Sequence, residues 1–371
     1  MKKVLIMSSV HPWNDTRVFH KEAVSLAQLG YEVTLYAMVS NHVYEDSIPN
    51  LRVVTFAPKS IVQRWKIWLQ FYKIAKRSKV EIIHIHDPEL LPLGYLLKRM
   101  YRKKIIFDMH EDFPAVLEGK RIGKVRMPKW LLRLVSTVEK KMLQKMNAVI
   151  FAEKYYKENY ETLTTKQMDI YNYPFLQEVT KMLKFERQTL IYAGAIHEIR
   201  GFKEMLAVAK LLKEANYDFQ LMIVGKVPER LEIYAEQFIG KHGLEDKVRL
   251  LGRLDLPELM TYYAKSHIGL AILHPEANYL QSLPTKVFEY MSVSLPYVLS
   301  NFESYERLVK ETKSGFVVNP LSPDEIASRI QVLLDDPLTQ AELGANGYKQ
   351  HVANFNWSLE ERKLGELYDE I

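Results

Sequence analysis

The chain of 371 residues contains no cysteine. Disulfides and thiolate zinc sites are thereby excluded, in keeping with a reducing compartment. No run approaches the ~18 consecutive apolar residues that a membrane-crossing helix requires. The opening Met1-Lys-Lys-Val-Leu-Ile reads as a first strand and lacks the pattern of a secretory leader, so a cytoplasmic protein is the expectation. No glycine stands between Met1 and Leu29. A dinucleotide-binding domain places a glycine-rich turn after its first strand so that backbone can approach a pyrophosphate, and a dehydrogenase is therefore disfavoured. Acids, too, are scarce in places: residues 59–79 hold seven Lys/Arg and no Asp/Glu, and residues 119–145 hold nine Lys/Arg against the single Glu139.

The net charge of +6 conceals an asymmetry. Residues 1–175 carry 29 Lys+Arg against 17 Asp+Glu, or +12; the remainder carries 22 against 28, or −6. The two halves therefore present different surfaces. The length exceeds what one hydrophobic core normally holds, so two domains are expected. Short Val/Ile-rich runs at 3–9, 31–38, 51–57, 81–87, 104–110 and 148–153 are mostly separated by helical-length segments, and a second set follows at 189–195, 219–225, 248–252, 268–273, 296–300 and 315–318. That alternation predicts an α/β chain of two doubly wound parallel sheets. The expected division is a first domain over 1–174, a linker over 175–188, a second domain over 189–354 and a C-terminal helix over 355–371, with Ser358 as its cap and Glu361 completing a capping box.

The loop after the first strand, Ser8-Ser-Val-His-Pro-Trp-Asn-Asp-Thr-Arg17, lies at a sheet's carboxyl edge, where open α/β folds bind ligands. His11, Asn14 and Thr16, with Asp15 and Arg17, offer polar contacts to an acceptor. Two readings stand for Asp15 and Thr16, contact or helix cap. The fourth strand ends Ile82-Ile-His-Ile-His-Asp87 and the fifth Phe107-Asp-Met-His-Glu111. Histidines two apart on a strand share a face, so His84, His86 and Asp87 form a conceivable metal set; strand-edge histidines are more often structural, and no metal is expected.

In 59–79, Trp65, Trp68, Phe71 and Tyr72 recur at helical spacing among the cations. A basic helix with interfacial aromatics suits an anionic membrane surface, and 59–79 and 119–145 are the candidate contacts. The alternative is a helix with its aromatics against the sheet and a solvated basic back. Nucleic acid is not expected as a partner, because no recognised nucleic-acid module is present.

The densest signal is Gln281-Ser-Leu-Pro-Thr-Lys-Val-Phe-Glu-Tyr-Met-Ser-Val-Ser-Leu-Pro296. Ser282 is a candidate cap for a helix with Pro284 in its first turn, whose open backbone amides would attract a phosphate. Lys286 and Glu289 stand three apart on one helical face, roughly 5–6 Å between Cβ atoms, which matches the separation of a nucleotide's phosphates from its ribose. A plain surface ion pair is the alternative.

This stretch resembles the nucleotide-sugar signature of the GT-B retaining glycosyltransferases of family 4 (glycosyltransferase group 1), in which an acidic residue, seven positions and a glutamate run into a helix. Glu289 matches the second acid; Gln281 occupies the first position without a charge. The Pro284-Thr-Lys-x-x-Glu-Tyr variant is similar to that of surface-polysaccharide enzymes, and the Asp15-Thr-Arg-Val-Phe-x-Lys-Glu-Ala23 run is similar to the opening of the same subgroup. The resemblance implies a GT-B fold, two Rossmann-like domains with an inter-domain cleft, and a retaining hexosyltransferase that moves a sugar from a nucleotide diphosphate, most naturally a UDP-sugar, to a glycan or lipid-linked acceptor without metal or other cofactor. It implies catalytic roles for His110, Asp87 and Glu111. It also implies donor contacts from Gly194, Arg200 and Gly201, where Ala195 replaces a frequent arginine, from Gln281, Ser282, Leu283, Thr285, Lys286 and Glu289, and from Arg253 and Leu254 near the base. Peripheral attachment to the inner face of the cell membrane follows as an expectation. A GT-B-shaped sugar-nucleotide epimerase and a non-catalytic scaffold are the alternatives.

Overall fold

A computed structural model of the protein describes every residue except 41–43, 45–46, 58–59, 61–63, 112, 115–116, 118–120, 123–124 and 177–181. The chain forms two compact units, Met1–Asn172 with Trp357–Ile371, and Tyr173–Asn356.

The first unit contains β1 (Lys3–Pro12), β2 (Glu32–Met38), β3 (Leu51–Phe56), β4 (Ile82–Ile85), β5 (Lys104–Met109), the short antiparallel pair β6 (Arg121–Ile122) and β7 (Val125–Arg126), then β8 (Ala148–Phe151) and β9 (Lys166–Asp169). Seven of these make one sheet in the order β3-β2-β1-β4-β5-β8-β9, every pairing parallel. The interior strands β4 and β8 are buried along their whole length, as expected where helices cover both faces of a parallel sheet. β9, Lys-Gln-Met-Asp, has no counterpart among the apolar runs: it is an edge strand, half-buried throughout, and its polar residues carry no hydrophobic signal. The helix Trp357–Glu370 belongs to this unit, pinned by the Trp357 indole N–H donating to Ser25 Oγ at 3.0 Å. It starts at Trp357, so Ser358 lies inside its first turn and is not the cap the sequence suggests.

The second unit contains β10 (Gln188–Ala193), β11 (Phe219–Val224), β12 (Val248–Gly252), β13 (Ile268–Ala271), β14 (Tyr297–Ser300) and β15 (Gly315–Val318). They form a parallel sheet in the order β12-β11-β10-β13-β14-β15. The helix Phe202–Glu214 covers it with Phe202, Met205, Leu206, Val208, Ala209 and Leu212 inward, an i, i+3, i+4 stripe. Of the segment read as a linker, residues 177–181 lie outside the described residues. Lys184 and Phe185 are attached to the second unit: the Lys184 ammonium donates to Ser266 O at 2.7 Å and the Phe185 amide to Lys265 O at 2.9 Å.

Candidate functional site

In the second unit the strand order reverses between β10 and β13, and ligands of such sheets bind outside the carboxyl ends of the strands at that switch point. β10 runs into Gly194 and β11 into Gly225, both left-handed at φ 146° and 148°. A Cβ at Gly225 would fall 2.1 Å from Gly194 O, so the two chain reversals touch backbone to backbone. Gly201, at φ 71°, ends the turn Glu198–Arg200 and opens the helix Phe202–Glu214; its missing side chain leaves room for Ile272 O, 2.4 Å from where a Cβ would stand.

Lys286 enters this space from the helix Thr285–Ser292. Its Cε and Nζ lie 2.6 Å from the position of an imagined Gly194 Cβ, and Nζ lies 5.8 Å from the Tyr192 ring centre. Arg200 lies near enough for its charge to act on Lys286, with Nε donating to the Tyr279 hydroxyl at 3.2 Å and the guanidinium 5.6 Å from that ring's centre. Glu289 accepts from the Tyr263 hydroxyl at 3.3 Å. Burial pushes the Lys286 pKa down; Glu289 acts against that shift and the Arg200 charge adds to it. Two cations thus crowd a half-buried spot, an arrangement that an anion would relieve.

Other residues singled out in the sequence fall around this group. Gln281 is exposed and ends the short helix Ala277–Leu280. Ser282 is not the helix cap: its hydroxyl donates to Tyr279 O at 3.4 Å, and Pro284 itself is the cap residue, with no side-chain cap bond and not in the first turn. The Thr285 amide is already used by Leu283 O at 3.0 Å, so the row of open amides is shorter than the sequence suggests. Leu283 is half-buried and Thr285 exposed. Arg253, exposed, and Leu254, half-buried, follow β12, two strands from β10 and hence about 10 Å across the sheet from Gly194.

In the first unit the switch point lies between β1 and β4. Asp15 caps the π-helical segment Thr16–Ala23, its carboxylate accepting from the Arg17 and Val18 amides at 2.9 Å each. The capping reading of Asp15 holds, and Thr16 is the exposed first residue of that segment. Asn14 is half-buried just before it. His11 sits 3.5 Å from Asp15 and 3.7 Å from Asp87, its ring stacked on that of His110 at 5.2 Å and 28°. Asp87 is buried and accepts from the Ser9 amide at 2.6 Å and from the Ser8 and Ser9 hydroxyls at 3.0 and 3.2 Å, which ties β4 to β1. Glu111 is exposed beside His110.

Beneath His110 lies a buried group in which sequence reasoning had singled out Arg17, His84 and His86 but not their partners Asp108 and Glu22; Arg17, offered there as a ligand contact, is 3% exposed and spent on Asp108. Arg17 grips Asp108 with both ends of its fork, and His110 Nε2 stands 3.0 Å from Asp108 Oδ2. Burial opposes the charged form of Asp108, but Arg17 and then His110 outweigh it and hold the carboxyl well below its usual range. Glu22, fully buried, lies 3.1 Å from Arg17 Nε and 3.6–3.7 Å from His86 and His84 Nε2. Burial and the neighbouring Asp108 raise its pKa well above the usual range, Arg17 offsetting this only in part. His84 Nδ1 meets the Tyr368 hydroxyl at 2.8 Å, and burial lowers the pKa of both His84 and His86. The conceivable metal set was His84, His86 and Asp87; the residues that converge are Glu22, His84, His86 and Asp108, with candidate ligand atoms within 4.8 Å of one another. Arg17 already lies against both carboxylates, so a divalent cation there would face a guanidinium at contact distance. The available signal was His-x-His inside a strand buried on both faces, where each ring must find a polar partner.

Residues 16–170 match the domain family described as Glycosyltransferase Family 4, and residues 177–350 the family described as Glycosyl transferases group 1. An uncharacterized glycosyltransferase of Haemophilus influenzae is 24% identical over 345 residues, 91% of this chain and 92% of that one. An alpha-D-kanosaminyltransferase of Streptomyces kanamyceticus is 26% identical over 186 residues; the match spans 50% of this chain and 46%, about half, of that relative. Among solved structures, a sucrose-phosphate synthase of Thermosynechococcus elongatus superposes with a TM-score of 0.77 at 18% identity, covering 100% of this chain and 99% of that one. Anabaena HepE in complex with UDP and glucose superposes with a TM-score of 0.67 at 15% identity, covering all of both chains. The chain thus consists of a family 4 glycosyltransferase domain followed by a group 1 glycosyltransferase domain, on the two-sheet plan of the GT-B glycosyltransferases.

Proposed function

We propose that the protein transfers a hexose from a nucleotide diphosphate, a UDP-sugar in the first instance, to a glycan or lipid-linked acceptor of a cell-surface polysaccharide, with retention of configuration and without a metal ion. The observation that carries this reading is the convergence of Arg200 and Lys286 on the carboxyl edge of β10, around a Gly194 with no side chain to block an approaching phosphate. A leaving nucleoside diphosphate develops negative charge as the glycosidic bond breaks. A planar guanidinium and an ammonium fixed beforehand at that spot stabilise it electrostatically and do the work a divalent ion would otherwise do. Glu289 is suited to the ribose hydroxyls and Arg253 with Leu254 to the base. Gln281, Ser282, Leu283 and Thr285 line the approach to the sugar, Gln281 by hydrogen bonds alone. In the first unit His110, with Asp87 and Glu111, serves the reacting sugar, and His11, Asn14 and Thr16 serve the acceptor. The departing phosphate then takes the acceptor proton on the same face of the sugar.

For the membrane side the helix Lys129–Leu143 supports the reading better than Arg64–Arg77 does. In Arg64–Arg77 the residues Ile67, Phe71 and Ala75 are buried, leaving Trp65 and Leu69 outward. In Lys129–Leu143, Trp130, Leu134 and Val138 are exposed at 67%, 51% and 41%. These three follow one another at i, i+4, i+8 beside exposed Lys129, Arg133 and Lys141, the pattern of a helix lying in an anionic interface. Parts of 59–79 and 119–145 lie outside the described residues, and among the described residues no helix is long and apolar enough to cross a membrane.

The test is calorimetry with a panel of UDP-, GDP- and dTDP-sugars, followed by product analysis with the donor that binds. One UDP-sugar binding at micromolar affinity, and losing ten- to hundredfold on Lys286→Met, is the expected result. Ala195 and Gln281 favour a second reading, a scaffold that has lost catalysis, and a scaffold binds no member of the panel. Conversion of the donor with no acceptor present would instead indicate an epimerase.

A further inference from the structure

His110 is held on three sides. Its Nε2 faces Asp108 Oδ2 at 3.0 Å and His86 Nδ1 at 3.0 Å, the His11 ring stacks on its face at 5.2 Å, and the His86 ring meets it at 63°. Asp108 is the anchor of this group: buried, with Oδ2 taking Arg17 Nε at 2.7 Å and Oδ1 taking Arg17 Nη2 at 2.9 Å. An ionised carboxylate accepts hydrogen bonds and donates none. Asp108 Oδ2 has two imidazole neighbours, His110 Nε2 at 3.0 Å and His86 Nδ1 at 3.3 Å; a bare Nε2 at the shorter distance would set lone pair against lone pair, which favours a hydrogen there, and in a neutral imidazole the other nitrogen is then the acceptor.

We propose that Asp108, pinned by Arg17, is a positioning residue that locks His110 as the Nε2–H tautomer and so fixes Nδ1 as the ring's acceptor atom toward a bound sugar hydroxyl. The role toward sugar rests on the transfer reading above; the tautomer does not. His86 completes the lock. Among the described residues its Nε2, like Glu22 Oε1 and Oε2 and His84 Nε2, makes no hydrogen bond of good geometry, although Glu22 Oε1 lies 3.1 Å from Arg17 Nε. Burial favours the protonated form of Glu22 and the neutral forms of both histidines. The layer under His110 therefore holds one ion pair, Arg17 with Asp108, and otherwise neutral groups, and Asp108 is the anion nearest the ring's Nε2.

The tautomer is read directly by long-range 1H–15N correlation on the full chain labelled in histidine side chains, with His110→Gln used to assign the resonance. The wild-type spectrum at neutral pH is expected to show a pyrrole-type Nε2 and a pyridine-type Nδ1 for His110. The reverse pattern, or one averaged shift for both nitrogens, overturns the proposal. Asp108→Ala supplies the second measurement, because it removes the acceptor that faces Nε2. The ring should then lose its single Nε2–H pattern, and transfer should fall about a hundredfold in kcat, with donor KM little changed. An Asp108→Ala variant that folds and keeps the Nε2–H pattern overturns the positioning role; one that does not fold leaves the wild-type spectrum to decide. Because the spectrum needs no donor, failure of the sugar panel with the expected tautomer present sinks the transfer reading alone.

Discussion

Arg17 and Asp108, 91 residues apart in sequence, form a two-pronged ion pair in which Arg17 is 3% exposed and Asp108 not exposed at all. Breaking a buried pair by removing one partner leaves an uncompensated charge and costs about 3–5 kcal/mol. Arg17→Met is accordingly expected to lower stability by that amount in urea unfolding. Arg17→Lys should recover little, because an ammonium cannot reproduce the parallel donation to both carboxylate oxygens. Unchanged unfolding midpoints in both variants would remove this pair from the framework of the first unit.

Acid should loosen the protein before it loosens ordinary surface contacts. Burial lowers the pKa of His84 and His86, and burial with the nearby Lys184 charge lowers that of His267 to about 4. In the unfolded chain these imidazoles take protons near pH 6.5, about where free histidine does. Between that value and the folded value the unfolded state binds more protons, so their stabilisation is full above about pH 6.5 and is lost as pH falls toward the folded pKa. Glu22 runs the other way: its raised pKa gives stability that is complete at low pH and lost as pH rises through the folded value. For His267 the window is about pH 6.5 to 4. His267 Nδ1 accepts from the Thr189 amide at 3.0 Å, and His267→Asn keeps an acceptor there without a titrating ring. This variant should flatten the decline in unfolding midpoint across that window; an unaltered slope would assign the acid sensitivity elsewhere.

Much of the fold was legible because buried parallel strands leave continuous apolar runs, and runs such as 81–87 and 219–225 contain the strands β4 and β11. β9 was not, since a four-residue polar edge strand is defined by its neighbour β8 and not by its own composition. That Lys286, Glu289 and Arg200 would come near one another was readable through the Lys286/Glu289 spacing and the Arg200-Gly201 pair; their role toward a donor is the reading proposed above. The Arg17, Glu22, His84, His86, Asp108 and Tyr368 network was not. Its members are spread from residue 17 to residue 368 over several elements, and no local period encodes which polar side chains meet inside. Helical spacing likewise tells which residues share a face but not whether another element covers it. That is why 119–145 could be marked as a candidate surface from its charge while the exposed apolar row Trp130, Leu134 and Val138 within it was not singled out.

Two glycines at the donor edge should respond differently to alanine. At Gly201 the new Cβ would stand 2.4 Å from Ile272 O, a backbone atom that cannot step aside, and at φ 71°. Gly201→Ala is expected to cost about 1–3 kcal/mol of stability from that backbone conformation and the forced shift. At Gly194 the obstruction is the tip of Lys286, 2.6 Å away on a flexible side chain. There the displaced ammonium should appear chiefly as weaker donor binding, beyond the strain of φ 146°. Thermal unfolding and calorimetry on both variants separate the cases. Donor affinity lost equally in both, at equal stability, would contradict the placement of Lys286 over Gly194.

The exposed row on Lys129–Leu143 makes a prediction about lipid. Burying side chains such as Trp130, Leu134 and Val138 in an interface contributes about 1.5–3 kcal/mol for each one fully buried, and each nearby cation adds about 1 kcal/mol at an anionic surface. Sedimentation with vesicles rich in anionic phospholipid should capture the protein, less so as salt is raised toward about 0.5 M, because the electrostatic part is screened. Trp130→Ser with Leu134→Ser should lower the partition coefficient by at least about tenfold with unchanged helical circular dichroism, since both side chains already face solvent and carry little of the fold. Lys129→Glu with Arg133→Glu should abolish the salt dependence as well as most of the binding. Equal capture of wild type and both double variants would show that this helix face is not the contact, and the basic helix Arg64–Arg77 would be the next surface to alter.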